Sequence, residues 1–360
     1  MNGRRALAVV VAVLLIGGAV AVRRWVIDGE SGGPDQVSTP LRLVCSAELA
    51  PTCRTLQADG SVEVEVAPAG DIAQALADAP EGKPPWDGWL GVAPWPEGVR
   101  EARVRDGRTP MLGPTGAPVA RSPIVIALRK DRSEVLEDTC GADGITWRCI
   151  GEQAGRAWLD LGGLAEWGVL RPAHAEPVQD GIGRLVVGQA AGHFLATPEL
   201  RVEAVARIDW EGSDAFGAWF GRLENAVPSD AFGSGAMTPF RRWIVTGLLA
   251  SDAVAGLEAE VVPRLAAADS SLRSRTRVVY PTPLSTADVV FVPVGARGAD
   301  LEEFATSSVA RQSLATNGWR VQGQPSADGI PKSPRLPDAN GLPAAGVLEA
   351  LAVLWEEIVR

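Results

Sequence analysis

Apolar and polar positions between residues 41 and 131 alternate between two periods. LRLVCS (41–46) is an apolar run ending in small polar residues, which predicts a strand. PTCRTLQADG (51–60) predicts a helix that stops at Gly60, and SVEVEVA (61–67) has the period of two expected of a half-buried strand. GDIAQALADAP (70–80) predicts an amphipathic helix with Asp71 as N-cap and Pro80 as its stop. DGWLGVAPW (87–95) predicts a third strand. VARSPIVIALRKD (119–131) carries the strongest buried-strand signal in the chain. Strand–helix alternation predicts a parallel sheet with right-handed crossovers. In such sheets ligands collect where strands feed helix N-termini.

From residue 145 the pattern changes. ITWRCIGEQAGRAWLDLGG (145–163) predicts helix, then loop. DGIGRLVVGQAAGHFLA (180–196) predicts a glycine-rich turn leading into an apolar helix. VEAVARIDWEGSDAFGAWFGRLENAV (202–227) is broadly helical, with Gly212 as a possible break. DAVAGLEAEVVPRLAAAD (252–269) combines a short strand with a helix. RVVYPTPLSTADVVFVPVG (277–295) predicts strand, break and strand, with the chain's single tyrosine, Tyr280, at the lip of the break. DLEEFATSSVARQSLATNGWRV (300–321) predicts a helix closed by Asn317-Gly318. The Pro-rich stretch 325–343 predicts a connector, and AAGVLEALAVLWEEIVR (344–360) a final amphipathic helix.

The N-terminus changes the cellular context. Arg4 and Arg5 precede ALAVVVAVLLIGGAVAV (6–22), 17 residues without a charge, and Arg23-Arg24 follow. This length is the lower limit for a spanning helix, so residues 1–30 read as a single-pass membrane anchor. The alternative is a secretory signal cleaved after Ala19-Val20-Ala21. Residues 31–39 form a polar linker. In both cases the body faces outward. Residues 1–30 carry a net +2 (Arg4, Arg5, Arg23 and Arg24 against Asp28 and Glu30), which leaves −12 of the total −10 on the remainder. An acidic body without a Lys/Arg block argues against nucleic acid as a partner.

The four cysteines agree with export. Cys45 and Cys53 are eight apart, and Cys140 and Cys149 nine apart. Two local disulfides are the natural pairing in an oxidising compartment, against four buried thiols as the alternative. A continuous helix over 45–53 would hold the Cα atoms about 12 Å apart, too far to bridge. The chain must therefore turn at SAELA, with Pro51 opening the next helix.

No catalytic signature is present: G-x-S-x-G, H-E-x-x-H and G-x-x-x-x-G-K-[ST] are all missing. The expectation is a protein without enzymatic activity, cofactor or metal. His174 and His193, the only histidines, have no metal-ligand spacing and read as structural or surface residues.

Four landmarks in order resemble a type 2 periplasmic binding-protein fold, of the extracellular solute-binding kind. LRLVCSAEL is similar to its first strand and Ser-bearing turn. ARSPIVIALRK resembles the first strand crossing between lobes, and VVYPTPLSTADVVFVPVG the return crossing. EEFATSSVARQSLATNGWRV resembles the helix that follows, with its closing glycine and aromatic or basic residue. The chain is also similar to the binding domain that precedes von Willebrand factor A domains in actinobacterial membrane proteins. The resemblance implies an α/β fold of two lobes, each a central sheet flanked by helices, joined by two crossing strands. Lobe 1 would hold 40–121 and 290–360, and lobe 2 would hold 122–289. A small polar ligand would lie between them, for hand-over to a transporter or report to a membrane-protein partner. A structural or interaction module that keeps the fold without a ligand is the alternative.

The ligand-binding candidates follow from that frame. Ser46 either presents its hydroxyl to the ligand or caps the next turn. Glu48, in the same turn, would repel an oxyanion. Trp89 either stacks on a ligand or packs in the core with Trp86 and Trp95. Ser122, at the first crossing, lines the cleft or opens the strand with Pro123. Asp180-Gly181 lets backbone approach a ligand or forms an ordinary loop. Tyr280 contributes a hydroxyl to the cleft, or packs the hinge with its hydroxyl bonded inside the protein.

Overall fold

The computed structural model describes residues 40–58, 60–195, 214–232 and 237–359. The apolar segment 6–22, the linker and residues 202–213 lie outside the described residues. Among the described residues no helix is long and apolar enough to cross a membrane.

Eight strands form one mixed sheet in the order β2-β1-β3-β8-β4-β6-β5, with β7 also on β4. They are β1 (Leu41–Ser46), β2 (Val62–Ala67), β3 (Gly88–Ala93), β4 (Ala120–Arg129), β5 (Pro172–Ala173), β6 (Ala253–Leu257), β7 (Thr276–Val279) and β8 (Thr286–Pro293). The helices before the glycine-rich segment are α1 (Ala50–Gln57), α2 (Ala69–Asp78), α3 (Trp95–Arg105), α4 (Lys130–Cys140) and α5 (Trp147–Gln153). Then follow α6 (Gly181–Leu195), α7 (Asp214–Asn225), α8 (Pro239–Val245), α9 (Glu258–Ala267) and α10 (Ser270–Arg275). The last are α11 (Glu302–Ala305), α12 (Ser308–Thr316) and α13 (Ala345–Val359).

The parallel sheet expected from the first strands is present where β1 pairs with both β2 and β3. It ends at β8, which runs antiparallel to β3 and to β4. Edge strand β2 shows why its pattern is legible: Val62 and Val64 are buried, and Glu63 and Glu65 face solvent. β4 is buried on both faces from Ser122 to Leu128, which explains its unbroken apolar run.

Two expected boundaries move. Asp71 is not the N-cap of α2: Pro68 is, and Asp71 lies in the first turn, where its charge favours the helix dipole. The stop before Pro80 holds, since Ala79 is extended, as the residue before a proline prefers. The expected glycine-rich turn is already helix from Gly181 onward. Asp180 Oδ1 accepts from the Ile182 and Gly183 amides, 2.9 Å each, so it caps α6 and places both glycines in its first turn.

Both expected disulfides are formed, Cys45–Cys53 across 6.5 Å between Cα atoms and Cys140–Cys149 across 5.7 Å. The 3-10 turn Ala47–Leu49 reverses the chain between β1 and α1 and makes the first bridge possible. Replacing Cys45 and Cys53 by alanine is expected to cost about 2.5 kcal/mol, the chain-entropy value for so short a loop. Urea midpoints of the oxidised protein and the double variant check it.

Candidate functional site

Ser46 ends β1 fully buried. Its hydroxyl does not cap the turn; it accepts from the indole Nε1 of Trp89 at 3.0 Å. Trp89, on adjacent β3, is likewise fully buried. The turn carries Glu48 outward against the first residue of α6. A Cβ built on Gly181 would lie 2.6 Å from Glu48 Oε1, so a larger residue there would displace the Glu48 carboxyl from this place. Trp95 Nε1 donates to the Gly181 carbonyl at 3.0 Å, and the Gly70 amide donates to the Gln179 carbonyl at 3.0 Å. The Arg184 guanidinium lies 3.7 Å from the Trp95 ring centroid, a cation–π contact. These residues make a seam between the β1–α1 turn with the start of α3 on one side and the N-terminus of α6 on the other.

The seam's electrostatics are unusual. Glu48 Oε1 is sealed from water and has no hydrogen-bond partner among the described residues. Burial, and then the charge of Asp180, push the Glu48 carboxyl up to about 8. Burial pushes Asp180 up to about 6 against the two amides that it accepts. At neutral pH the pair therefore holds one proton, chiefly on Glu48. A buried carboxyl oxygen with nothing to bond is costly, and a donor placed there would remove the cost.

The remaining candidates form a second cluster at the crossing strands. β7 and β8 run antiparallel along β4 as one interrupted strand, with Ile126 opposite Val279 and Pro123 opposite Thr286. Ile124 still meets Ser285, its amide donating to the Ser285 carbonyl at 2.9 Å, so Val125 alone faces the five residues Tyr280 to Leu284, which must loop out. Tyr280 sits at the start of that excursion. Its hydroxyl donates to Glu258 Oε2 at 2.6 Å. Arg320 grips the same carboxylate from Nε and Nη2, at 2.7 and 2.6 Å. Ser122 Oγ accepts from the Ala259 amide at 3.0 Å and so caps the helix that begins at Glu258. In the structure Tyr280 has its hydroxyl bonded inside the protein. Tyr280→Phe is expected to cost about 1.5 kcal/mol, the worth of a hydrogen bond to a charged group, measurable as a shift in denaturant midpoint.

The structure therefore groups Ser46, Glu48, Trp89, Asp180 and Gly181 at one seam, and Ser122 with Tyr280 at another place. Sequence reading had Trp95 in the tryptophan group with Trp86 and Trp89, and missed Arg184 as a seam residue and Glu258 as the partner of Tyr280. Arg320 had a signal, because it follows the glycine and tryptophan that close the 300–321 helical segment. Both histidines are buried and structural. His174 Nε2 lies 3.0 Å from Glu224 Oε2, and His193 Nε2 donates to the Pro283 carbonyl at 2.7 Å. Among the described residues no three His, Cys, Asp or Glu side chains are placed to hold a metal ion.

Comparison with solved structures places this architecture. The ferric binding protein from Campylobacter jejuni matches with TM-score 0.58 at 10% identity, over 88% of this chain and 99% of that one. Pasteurella haemolytica apo ferric ion-binding protein A matches with TM-score 0.57 at 13% identity, over 89% and 98%. Apo FutA2 from Synechocystis PCC6803 matches with TM-score 0.54 at 13% identity, over 89% and 99%. The chain thus has the α/β fold of periplasmic solute-binding proteins, a likeness of fold at low identity. No protein-family model matches the sequence. No curated protein sequence matches it either.

Proposed function

We propose that this chain is an extracytoplasmic solute-binding protein, tethered through residues 6–22, that holds a small polar ligand between two lobes. Lobe 1 comprises 40–121 and 290–360, and lobe 2 comprises 122–289, with β4 and β8 as the crossings. Glu48, Asp180 and the Gly181 backbone are the ligand-facing groups, flanked by Ser46 and Trp89. Ser122 and Tyr280 belong to the crossings behind them. The observation that carries this reading is the buried, unpartnered Glu48 oxygen opposite Asp180 at the seam. Two carboxyls there suit a ligand presenting N–H donors or positive charge and disfavour an oxyanion. Ferric ion, named for two of the fold neighbours, finds at this seam, among the described residues, a carboxyl pair, short of the ligand set that a hard cation takes from a protein. The bound solute would pass to a transporter or be reported to a membrane-protein partner.

Thermal unfolding of the full chain in detergent tests the reading, across amines, amino acids, sugars and oxyanions. A ligand at 100 times its dissociation constant adds about 2.7 kcal/mol of stability. An amine is expected to score, to bind more tightly as pH rises from 6 to 9 and Glu48 gives up its proton, and to lose its effect in Glu48→Gln. One observation favours a second reading, that of a tethered interaction module without a ligand. The Trp95–Gly181 hydrogen bond and Arg184 on Trp95 fill the seam with the protein's own side chains. A flat panel from a cooperatively folding chain would select it.

A further inference from the structure

The C-terminal segment touches both crossing strands and helices on either side of the seam. After Arg320 the chain crosses back over both crossing strands. Arg320 Nη1 donates to the Pro334 carbonyl at 2.8 Å, and Arg121 of β4 donates to the Pro337 carbonyl. The Thr286 amide of β8 donates to the Asn340 carbonyl at 2.8 Å, and Ser285 Oγ to the Gly341 carbonyl at 2.9 Å. Arg121 and Arg320 are themselves anchored, on Asp288 at 2.8 Å and on Glu258 at 2.6 Å. The connector is thus strapped to the crossings at three points, Arg121, Ser285 and Thr286, and to Arg320 at a fourth.

Helix α13 then packs against α3, which precedes the first crossing, and against α6 and α7, which follow it. On one side Glu349 pairs with Arg105 of α3 at 3.4 Å. On the other, Leu348 fills the place where a side chain at Gly188 of α6 would stand, and Trp355 Nε1 donates to Glu224 of α7 at 2.7 Å. Leu348, Leu351 and Trp355 are all buried. Helix α6 links these contacts. Its N-terminus lies against Glu48 and under Trp95, its middle against Leu348, and its His193 holds the looped-out Pro283 between β7 and β8. Separating α6 from Trp95 and Glu48 must pull α13 away from α3 or from α6.

We propose that residues 334–359 act as a latch that holds the seam shut, so that opening between Glu48 and Gly181 requires release of α13. The proposal rests on the two-lobe reading above. It predicts that loosening α13 exposes the seam while the sheet stays folded. Packed helices that bridge two bodies have discrete arrangements, and side chains such as Leu348 decide between them.

Hydrogen exchange of the full chain in detergent, read by mass spectrometry, tests the latch. The seam reporters are peptides covering 68–72, which include the Gly70 amide, and 179–183. Sheet amides at 89–92 serve as the internal standard. Leu348→Ala is expected to speed seam exchange by about 30-fold relative to the standard, the factor equivalent to about 2 kcal/mol for a buried Leu→Ala change. Leu265→Ala, a buried change in α9 away from α13, is expected to leave the seam at its wild-type rate. If Leu348→Ala does not fold, Leu348→Val carries the same test at about 5-fold. Seam exchange that stays at the wild-type rate, or that rises only together with the sheet standard, overturns the latch whatever the ligand panel shows. Faster seam exchange with a flat ligand panel keeps the latch and removes the solute-binding reading.

Discussion

Glu224→Ala is expected to cost about 3–5 kcal/mol, because it breaks a buried pair and leaves its partners unpaired. Glu224 is buried on α7 between two donors. His174 Nε2 lies 3.0 Å from Oε2, and Trp355 Nε1 donates to the same oxygen at 2.7 Å. His174 is held in turn by the Ala175 carbonyl at 2.8 Å, and Phe232 packs edge-on against both His174 and Trp355. Burial opposes charge on His174, but the Glu224 charge and hydrogen bond lift its pKa above the ordinary value. The sign follows: the stability from this pair is fully present below the ordinary histidine pKa and fades as pH rises through the raised one. Glu224→Ala should remove that alkaline loss together with the stability. Trp355→Phe, which keeps the ion pair, should cost less than half as much. Urea midpoints at pH 6 and pH 9 check both, and a loss below about 1 kcal/mol for Glu224→Ala would reduce the triad to inert filling.

The second large effect is a pH slope of opposite origin. Glu48 is an acid whose pKa is raised in the fold to about 8, and Asp180 is raised to about 6. Between the ordinary carboxyl range and those values the native state holds more protons than the unfolded chain. Stability therefore falls as pH rises. The expected slope from Glu48 is at most about 1.4 kcal/mol per pH unit, over roughly pH 5 to 8. Glu48→Gln, which keeps the shape without the titration, should flatten this slope and be more stable than the wild type at pH 8.5. Stability that stays level from pH 5 to 8 in the wild type would mean that Glu48 is ionised in the fold. A ligand bringing a cation to the seam should flatten the wild-type slope in the same way, which ties this measurement to the solute-binding reading.

Local pattern was a good guide wherever one face or one period dominated. The Val-Glu alternation of 62–65 and the unbroken run of β4 identified their strands because burial acts residue by residue there. The disulfides were legible from spacing and from the export expected of the N-terminal segment. Helix starts were less legible. Asp71 looked like an N-cap and Asp180 like a turn residue, but it is Asp180 that has its side chain on the amides of the first turn. The 300–321 helical segment proved to be two helices, because Ser307 Oγ caps the second by accepting from the Ala310 amide at 3.2 Å. The seam was half legible. Glu48 and Gly181 stood out by residue type, but Trp95 and Arg184 carry no local mark of meeting them.

By itself the sequence determined the order of strands β1 to β4 and β6 to β8 and the two cystine bridges, and it nominated, as expectations, an export segment and a short list of groups for a ligand; α3, α4 and α8 went unread. The readings follow from periodicity, composition and short-range spacing, which act within about ten residues. The tertiary structure alone decided which of those groups meet. It buried Ser46 under Trp89, turned Tyr280 inward to Glu258 and Arg320, and set Glu48 against Gly181. Each contact joins residues far apart in the chain, through a sheet in which β8 returns antiparallel between β3 and β4. The physical reason is that a polar side chain's role is set by the partner that satisfies it once buried, and that partner is supplied by chain topology rather than by neighbours in sequence.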